Sequence, residues 1–211
     1  MNEYTQGFFL QLSLIFALGA QNIFVLEMGL RRNYHLMVAA ICSICDVVLV
    51  LVGSLGVSKI IASVVELKII VGIIGVFFLL YYGVLKLKHF LIFKRDTSRP
   101  IAQNSSRKKV AAMALSFTLL NPHVYIDTFF LIGGYASQFA SVQSKILFAV
   151  GAGSFSTLWF FFLSSFSSKF SNLLTRESTA RWISLLTGLT LVYLAYKLGL
   201  DIYEEIEVFL N

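Results

Sequence analysis

From Tyr4 to Leu26 the chain runs for 23 residues without a charge. A helix rises 1.5 Å per residue, so about 20 such residues cross the ~30 Å hydrocarbon layer of a bilayer. Four further runs have the same character. Between Arg32 and Lys59 the only charge is Asp46, and neither Ile69 to Leu85 nor Ile146 to Ser168 carries any. Trp182 to Tyr196 is shorter, but Trp182 can sit at the headgroups and Lys197 can snorkel, which extends the run toward Leu200. The sixth run, between Lys109 and Lys145, holds 35 residues with Asp127 as its one charge. As one helix it would measure about 52 Å, too long for a single straight crossing, so it must break or end early. Only 13% of the residues are charged, against about 25% in a soluble domain. These runs predict an all-α integral membrane protein with six transmembrane helices. Met1 to Thr5 carries Glu3 and no basic residue, so the first run is expected to stay as a span instead of serving as a cleaved leader.

Six spans place three connections on one side: the turn at Arg31 and Arg32, the segment Lys86 to Lys109, and the turn Lys169 to Arg181. Together they hold 13 of the 17 Lys and Arg residues. The positive-inside rule makes that side cytoplasmic, so both termini are predicted to face outward. The same distribution accounts for the net charge of +6 without a nucleic-acid partner, because the basic residues sit in short connections with no folded basic domain behind them. Pro100 and the polar run Gln103 to Ser106 mark residues 93–109 as a basic cytoplasmic linker. It divides the chain into a first three-helix repeat, 1–92, and a second, 110–211.

Three spans per half turn the second half upside down relative to the first, the inverted-repeat plan of many secondary transporters. Each half carries a polar interruption in its first helix, Phe16-Ala17-Leu18-Gly19-Ala20-Gln21-Asn22 and Phe117-Thr118-Leu119-Leu120-Asn121-Pro122-His123. Pro122 donates no backbone hydrogen bond and disfavours helical geometry at Asn121. Breaks of this kind survive in a membrane where they face protein or a wet cavity. The half-helix ends offer N–H groups to an anion and carbonyls to a cation, which matches the carboxylate and ammonium of an amino acid. A simple kink at Pro122, with Gln21 and Asn22 as interhelical glue, is the competing reading of either motif alone.

Asp46 and Asp127 lie inside apolar spans, where an ionised Asp costs roughly 2.5–3.5 kcal/mol on insertion scales. Two tasks suit them: holding the cation of a basic substrate, or carrying the protons whose entry drives export. A neutral Asp hydrogen-bonded to Tyr or Ser is the alternative. Coupling is required in either case, since moving a +1 charge out against an inside-negative potential costs ~2.3 kcal/mol per 100 mV. His123 and Glu27 are weaker candidates for the same tasks, with a structural hydrogen-bond donor as the alternative for His123 and snorkelling at the end of the first span as the alternative for Glu27.

Cys42 and Cys45 form Cys-Ser-Ile-Cys in the second span. Zinc needs about four ligands and a redox pair needs access to its partner, so packing is the reading, with no metal or cofactor assigned. An intramembrane protease would need a string such as Gly-x-Gly-Asp with a second Asp, or His-Glu-x-x-His, and neither occurs. A thiol-disulfide carrier would need a cysteine in each half. No enzyme activity is therefore expected. The Ser-rich stretch Ser154 to Ser171 reads as helix-packing hydroxyls. Ala149-x-x-x-Gly153 and Ala195-x-x-x-Gly199 allow close helix contact within one chain or across a homodimer.

Gly19-Ala20-Gln21-Asn22-Ile23-Phe24-Val25-Leu26, Gly29-Leu30-Arg31-Arg32, Cys45-Asp46, Leu120-Asn121-Pro122-His123-Val124-Tyr125-Ile126-Asp127-Thr128 and Leu158-Trp159-Phe160-Phe161 occur in this order. In these strings the chain resembles the LysE/ArgO family of lysine and arginine exporters. The resemblance implies efflux of L-lysine or L-arginine across the bacterial cytoplasmic membrane, driven by a proton or potential gradient. It also implies substrate-binding roles for Gln21, Asn22, Asp46, Asn121, Pro122, His123, Tyr125 and Asp127, with Asp46 and Asp127 in proton coupling. Ala20 stands where some relatives have proline, and Glu27 where a basic or amide residue is common. Export of a neutral amino acid or a small cation on the same fold is the alternative.

Reporter fusions check the orientation. Alkaline phosphatase fused after Asn211 is expected to be active, and inactive when inserted within residues 93–109. The opposite pattern would invert the topology.

Overall fold

The computed structural model describes residues 2–15, 19–57, 65–91, 106–171 and 177–210, and every secondary-structure element among them is helical. The first half holds α1 (Glu3–Ile15), α2 (Ala20–Leu30), α3 (His35–Val52), which runs into a π-helical turn Gly53–Val57, and α4 (Val65–Leu91). The second half holds α5 (Arg107–Leu119), then α6 (Pro122–Tyr125), a π-helical stretch Ile126–Ile132 and α7 (Gly133–Ala136), followed by α8 (Val142–Lys169) and α9 (Glu177–Leu210).

Local chemistry explains the boundaries. The Asn2 side chain accepts from the Thr5 N–H at 2.9 Å, and Ser106 does the same for Lys109 at the start of α5. Arg107 to Lys109 thus form the first turn of α5 instead of linker, while 92–105 lies outside the described residues. Three described helices are long and apolar enough to cross a membrane: His35–Gly56, Val142–Lys169 and Arg181–Glu204. The pair α1 and α2 passes the same test as one broken span, bent by 81°.

Burial differs from that of a soluble protein on the outer surface. Large apolar side chains face outward at helical spacing, among them Ile44 and Val48 on α3, Phe77 and Tyr81 on α4, and Leu158 and Phe162 on α8. The buried set includes Gln11, Gln21, Asn22, Glu27, Asp46, Asn121 and Ser156. An apolar outer belt with the membrane-buried polar side chains turned inward, among apolar core residues, is what a lipid solvent selects. The protein is a multi-pass membrane protein.

Packing relies on small residues, as expected where no hydrophobic force draws helices together. A Cβ on Gly7 of α1 would lie 2.0 Å from the carbonyl oxygen of Phe148 on α8, and one on Gly151 would lie 2.0 Å from that of Tyr4. The helices α1 and α8 therefore touch backbone to backbone at two points. Gly83 of α4 and Gly188 of α9 meet the same way, each Cβ position falling 3.2 Å or 3.1 Å from the other's carbonyl oxygen. Elsewhere α3 packs on α8, α2 lies on α8, and α5 lies on α3.

The basic residues of the predicted cytoplasmic side gather at one end. Arg31 and Lys86 both pair with Glu27, Arg32 donates to the Ser168 carbonyl at 3.0 Å, and Arg107 reaches the Met37 sulfur at 3.4 Å. Glu27 does not snorkel: it is 2% exposed and tied from α2 across to α4. Residues at the opposite end also interlock, with Ser144 donating to Glu3 at 3.2 Å and Tyr135 to Gln6 at 3.1 Å.

Gly7→Val has no room for its side chain, and overpacking of a tight site costs about 1–3 kcal/mol. A methyl group added at Gly134 would meet nothing within 4 Å. Thermal unfolding in detergent is expected to show a marked fall in melting temperature for Gly7→Val and little change for Gly134→Ala.

Candidate functional site

Both helix interruptions open onto one cavity of about 330 Å³, at the small end of the ~300–1,000 Å³ typical of ligand pockets. Gly19, Ala20, Gln21 and Asn22 line it from the start of α2, and Asn121, Val124, Asp127 and Thr128 from the second interruption. Asp46 of α3 and Gln11 of α1 complete the polar wall, with Lys197 of α9 as its one cationic side chain. Among the described lining residues the side chains charged at neutral pH are thus two carboxylates and one amine, beside the phenol of Tyr193.

The interruptions lie within the two polar strings and are narrower than them. Gln21 and Asn22 already belong to the first turn of α2, whose cap is Gly19 with extended backbone and no capping side chain. Pro122 is the first residue of α6, a position where its missing N–H has no intrahelical partner in any case. The first N–H groups of α2 have no partner within their own helix, and the residues that carry them line the cavity. Asp127 sits in the π-helical stretch, a local widening common at functional sites.

Each interruption leaves carbonyls that would go unpaired in lipid, and each is stitched by a side chain from beyond it. Asn22 donates to the carbonyl of Ile15, the last residue of α1, at 2.8 Å. Tyr125 donates to the carbonyl of Leu119, the last residue of α5, at 2.7 Å. Asn22 is itself oriented by Trp159 of α8, whose indole N–H donates to the Asn22 oxygen at 3.1 Å. Tyr125 is not among the cavity-lining residues. Backbone geometry places His123 in α6, but the side chains of Pro122 and His123 lie outside the described residues.

Asp46 is held from two helices. Ser156 of α8 donates to its Oδ2, and Gln11 Nε2 donates to the same oxygen at 3.1 Å and to Ser156 at 2.7 Å. Asp46 and Gln11 are each 6% exposed and Ser156 is fully buried. Neither Gln11 nor Ser156 stood out in the sequence. One is an amide set among apolar residues and the other a single serine in a Ser-rich stretch. The available signal was spacing, since Gln11 follows the close-packed Gly7 by four residues and shares its buried face. Cys42 is buried, with the Thr118 hydroxyl 3.8 Å from its sulfur.

Beyond Asn22 toward the basic end, aromatic rings fill the interior. Phe24 of α2 stacks on Phe117 of α5 with centroids 4.6 Å apart, and Phe78 and Tyr82 of α4 close around them. Lys86 lies 4.9 Å from the Tyr82 ring centre while it pairs with Glu27.

The LysE type translocator family matches residues 12–202. The chain belongs to the LysE family. Curated LysE-family relatives of similar length include the arginine exporter protein ArgO of Salmonella typhimurium, 37% identical over 199 residues and covering 94% of each chain. The protein of the same name from Enterobacter sp. (strain 638) is 35% identical over 211 residues, all of both chains. No solved structure matches this LysE-family chain.

Asn22→Asp keeps the acceptor for Trp159 but replaces the donor to Ile15 with a second oxygen. It is expected to destabilise by about 1–3 kcal/mol, the cost of an unsatisfied buried group. Trp159→Phe removes one donor only and is expected to lower the melting temperature less.

Proposed function

We propose that this chain exports a basic amino acid, arginine or lysine, from the cytoplasm across the bacterial inner membrane, as a secondary transporter and not an enzyme. The observation that carries the reading is the charge of the cavity. Among the described lining residues the side chains charged at neutral pH are Asp46, Asp127 and Lys197, a net of −1. Arginine and lysine are net +1 at neutral pH, so either one neutralises the site. A neutral amino acid would leave an uncompensated charge in a low-dielectric interior. The names of the curated relatives point to arginine.

In this reading the substrate carboxylate meets the N–H groups at the start of α2, together with Lys197. The two cationic ends meet Asp46, Asp127 and the amides of Gln21 and Asn121. Asn22 and Tyr125 act by holding the two interruptions in shape, and Pro122 by starting the second half-helix. Six spans arranged as two inverted three-helix halves fit the packing, because exchanging each element for its counterpart turns one observed contact into another. The α1–α8 contact becomes α5–α3, and the contacts α3–α8 and α4–α9 map onto themselves. The end where Arg31, Lys86, Arg107 and Arg181 gather faces the cytoplasm.

A site of net −1 that is neutralised either by the substrate or by one proton, but not by both, exchanges one monocation for one proton. Such exchange is electroneutral. It is driven by the pH gradient and avoids the ~2.3 kcal/mol per 100 mV charged against uncoupled cation export.

Proteoliposomes preloaded with labelled arginine or lysine test this. Export is expected to follow an imposed pH gradient and to be indifferent to an imposed potassium-diffusion potential. Asp46→Asn and Asp127→Asn should each lower it about tenfold or more, equivalent to about 1.4 kcal/mol. Export of neutral amino acids alone would overturn the basic-substrate reading, and export that follows the potential would overturn the one-for-one exchange.

A further inference from the structure

We infer that Gln11 is a specificity-determining residue, whose side-chain oxygen shares a substrate guanidinium with Asp46 and thereby favours arginine over lysine. The inference rests on the reading above that the cavity takes a basic amino acid.

The close contact of Gly7 with the Phe148 backbone fixes the rotation of α1. Gln11, one turn further along, is thereby turned toward Ser156 and Asp46 and lines the cavity. Its amide orientation is set by chemistry. Only the Nε2 end can donate to a carboxylate, and it does so to Asp46 Oδ2, where Ser156 also donates. The other end, Gln11 Oε1, is left buried with no hydrogen-bond partner. Such an orphaned acceptor is rare in folded proteins and calls for an explanation.

Both protein donors converge on Oδ2, so the second carboxylate oxygen of Asp46 is not engaged by either. Asp46 and Gln11 both line the cavity, and each keeps one acceptor that neither protein donor engages, the first charged and the second neutral and buried behind the lining surface. A guanidinium is a planar fork with five N–H donors and can serve two acceptors at once. A lysine ammonium is a compact point charge on a flexible stem and gains less from a second, neutral acceptor.

Gln11 also positions Asp46, so a loss of activity alone would not separate the two tasks. The measurement is therefore KM for arginine and for lysine in proteoliposomes of the full chain, in wild type, Gln11→Met and Ser156→Ala. Gln11→Met is expected to raise the arginine KM about tenfold while changing the lysine KM much less. Ser156→Ala removes the other anchor of Asp46 and is expected to weaken both substrates by similar factors, leaving the preference in place. Gln11→Asn retains an amide but draws its oxygen back by one methylene. It is expected to lose the arginine preference as well, and it serves as the second variant if Gln11→Met fails to reach the membrane. Equal changes for arginine and lysine in the Gln11 variants would reduce Gln11 to a support for Asp46 and overturn the inference. Wild-type protein that carries neither amino acid would instead overturn the basic-substrate reading, and this inference with it.

Discussion

A helix that stops inside a bilayer must find partners for its last carbonyls without help from water, and the cavity depends on how this chain does so. Asn22 and Tyr125 reach back across the two interruptions to the final residues of α1 and α5. Neither donor belongs to the helix it completes. The four half-helices are thus locked in pairs, and their remaining polar ends are free to face inward. Without those two bonds the carbonyls of Ile15 and Leu119 would lose the side-chain partners that tie each half-helix to the next.

Around these locks the chain uses α8 as a shared spine. Between Phe148 and Phe160 its buried face carries the small residues Ala149, Gly151, Ala152, Gly153 and Ser156, and beyond Phe160 it carries Ser164 and Ser167. This lets α1 approach to backbone contact, and α2 as well, where a Cβ on Gly29 would lie 1.8 Å from the Ser167 hydroxyl oxygen. The same face supplies Ser156 to Asp46, Trp159 to Asn22 and Ser164 to His35, the last at 2.9 Å. One helix therefore sets the depth of the carboxylate, the angle of the first interruption and the entry to α3. A serine that looks like packing in the sequence can carry a buried charge when its neighbours are small enough to admit the acceptor.

Much of this was legible in the chain because a polar residue in an apolar span is conspicuous. Asp46, Asp127, Gln21 and Asn121 stand out against long uncharged runs, and the structure brings all of them to one cavity. Less legible was anything that depended on which residues meet across the fold. Gln11 and Ser156 are separated by 145 positions, so no local pattern could join them to Asp46. The strings Phe16 to Asn22 and Phe117 to His123 contain both interruptions, but also residues that belong to the flanking helices. A helix tolerates polar residues in its first turn, so Gln21 and Asn22 read as a gap when they open α2. Tyr125 enters the binding string through the family resemblance, and the hydrogen bond of its hydroxyl to the Leu119 carbonyl joins residues whose pairing no local pattern shows.

Glu27 shows how distant pairing changes the meaning of a charge. It lies in the last full turn of α2, where the partial negative charge of the helix end disfavours a carboxylate. It remains buried because Arg31 comes from one turn later and Lys86 from 59 residues away. Removing one partner of such a buried cluster costs about 3–5 kcal/mol, so the three residues behave as a unit. The consequence reaches the cavity. Arg31 and Lys86 lie further along the same helix bundle from Asp46 and Asp127, and as bare cations they would set a positive field in the path of any cationic substrate. Pairing with Glu27 cancels one of their two charges and fixes both side chains toward α2. A basic or amide residue at position 27 would leave both charges uncancelled. The cavity keeps its excess of negative charge because the nearest buried cations are occupied elsewhere.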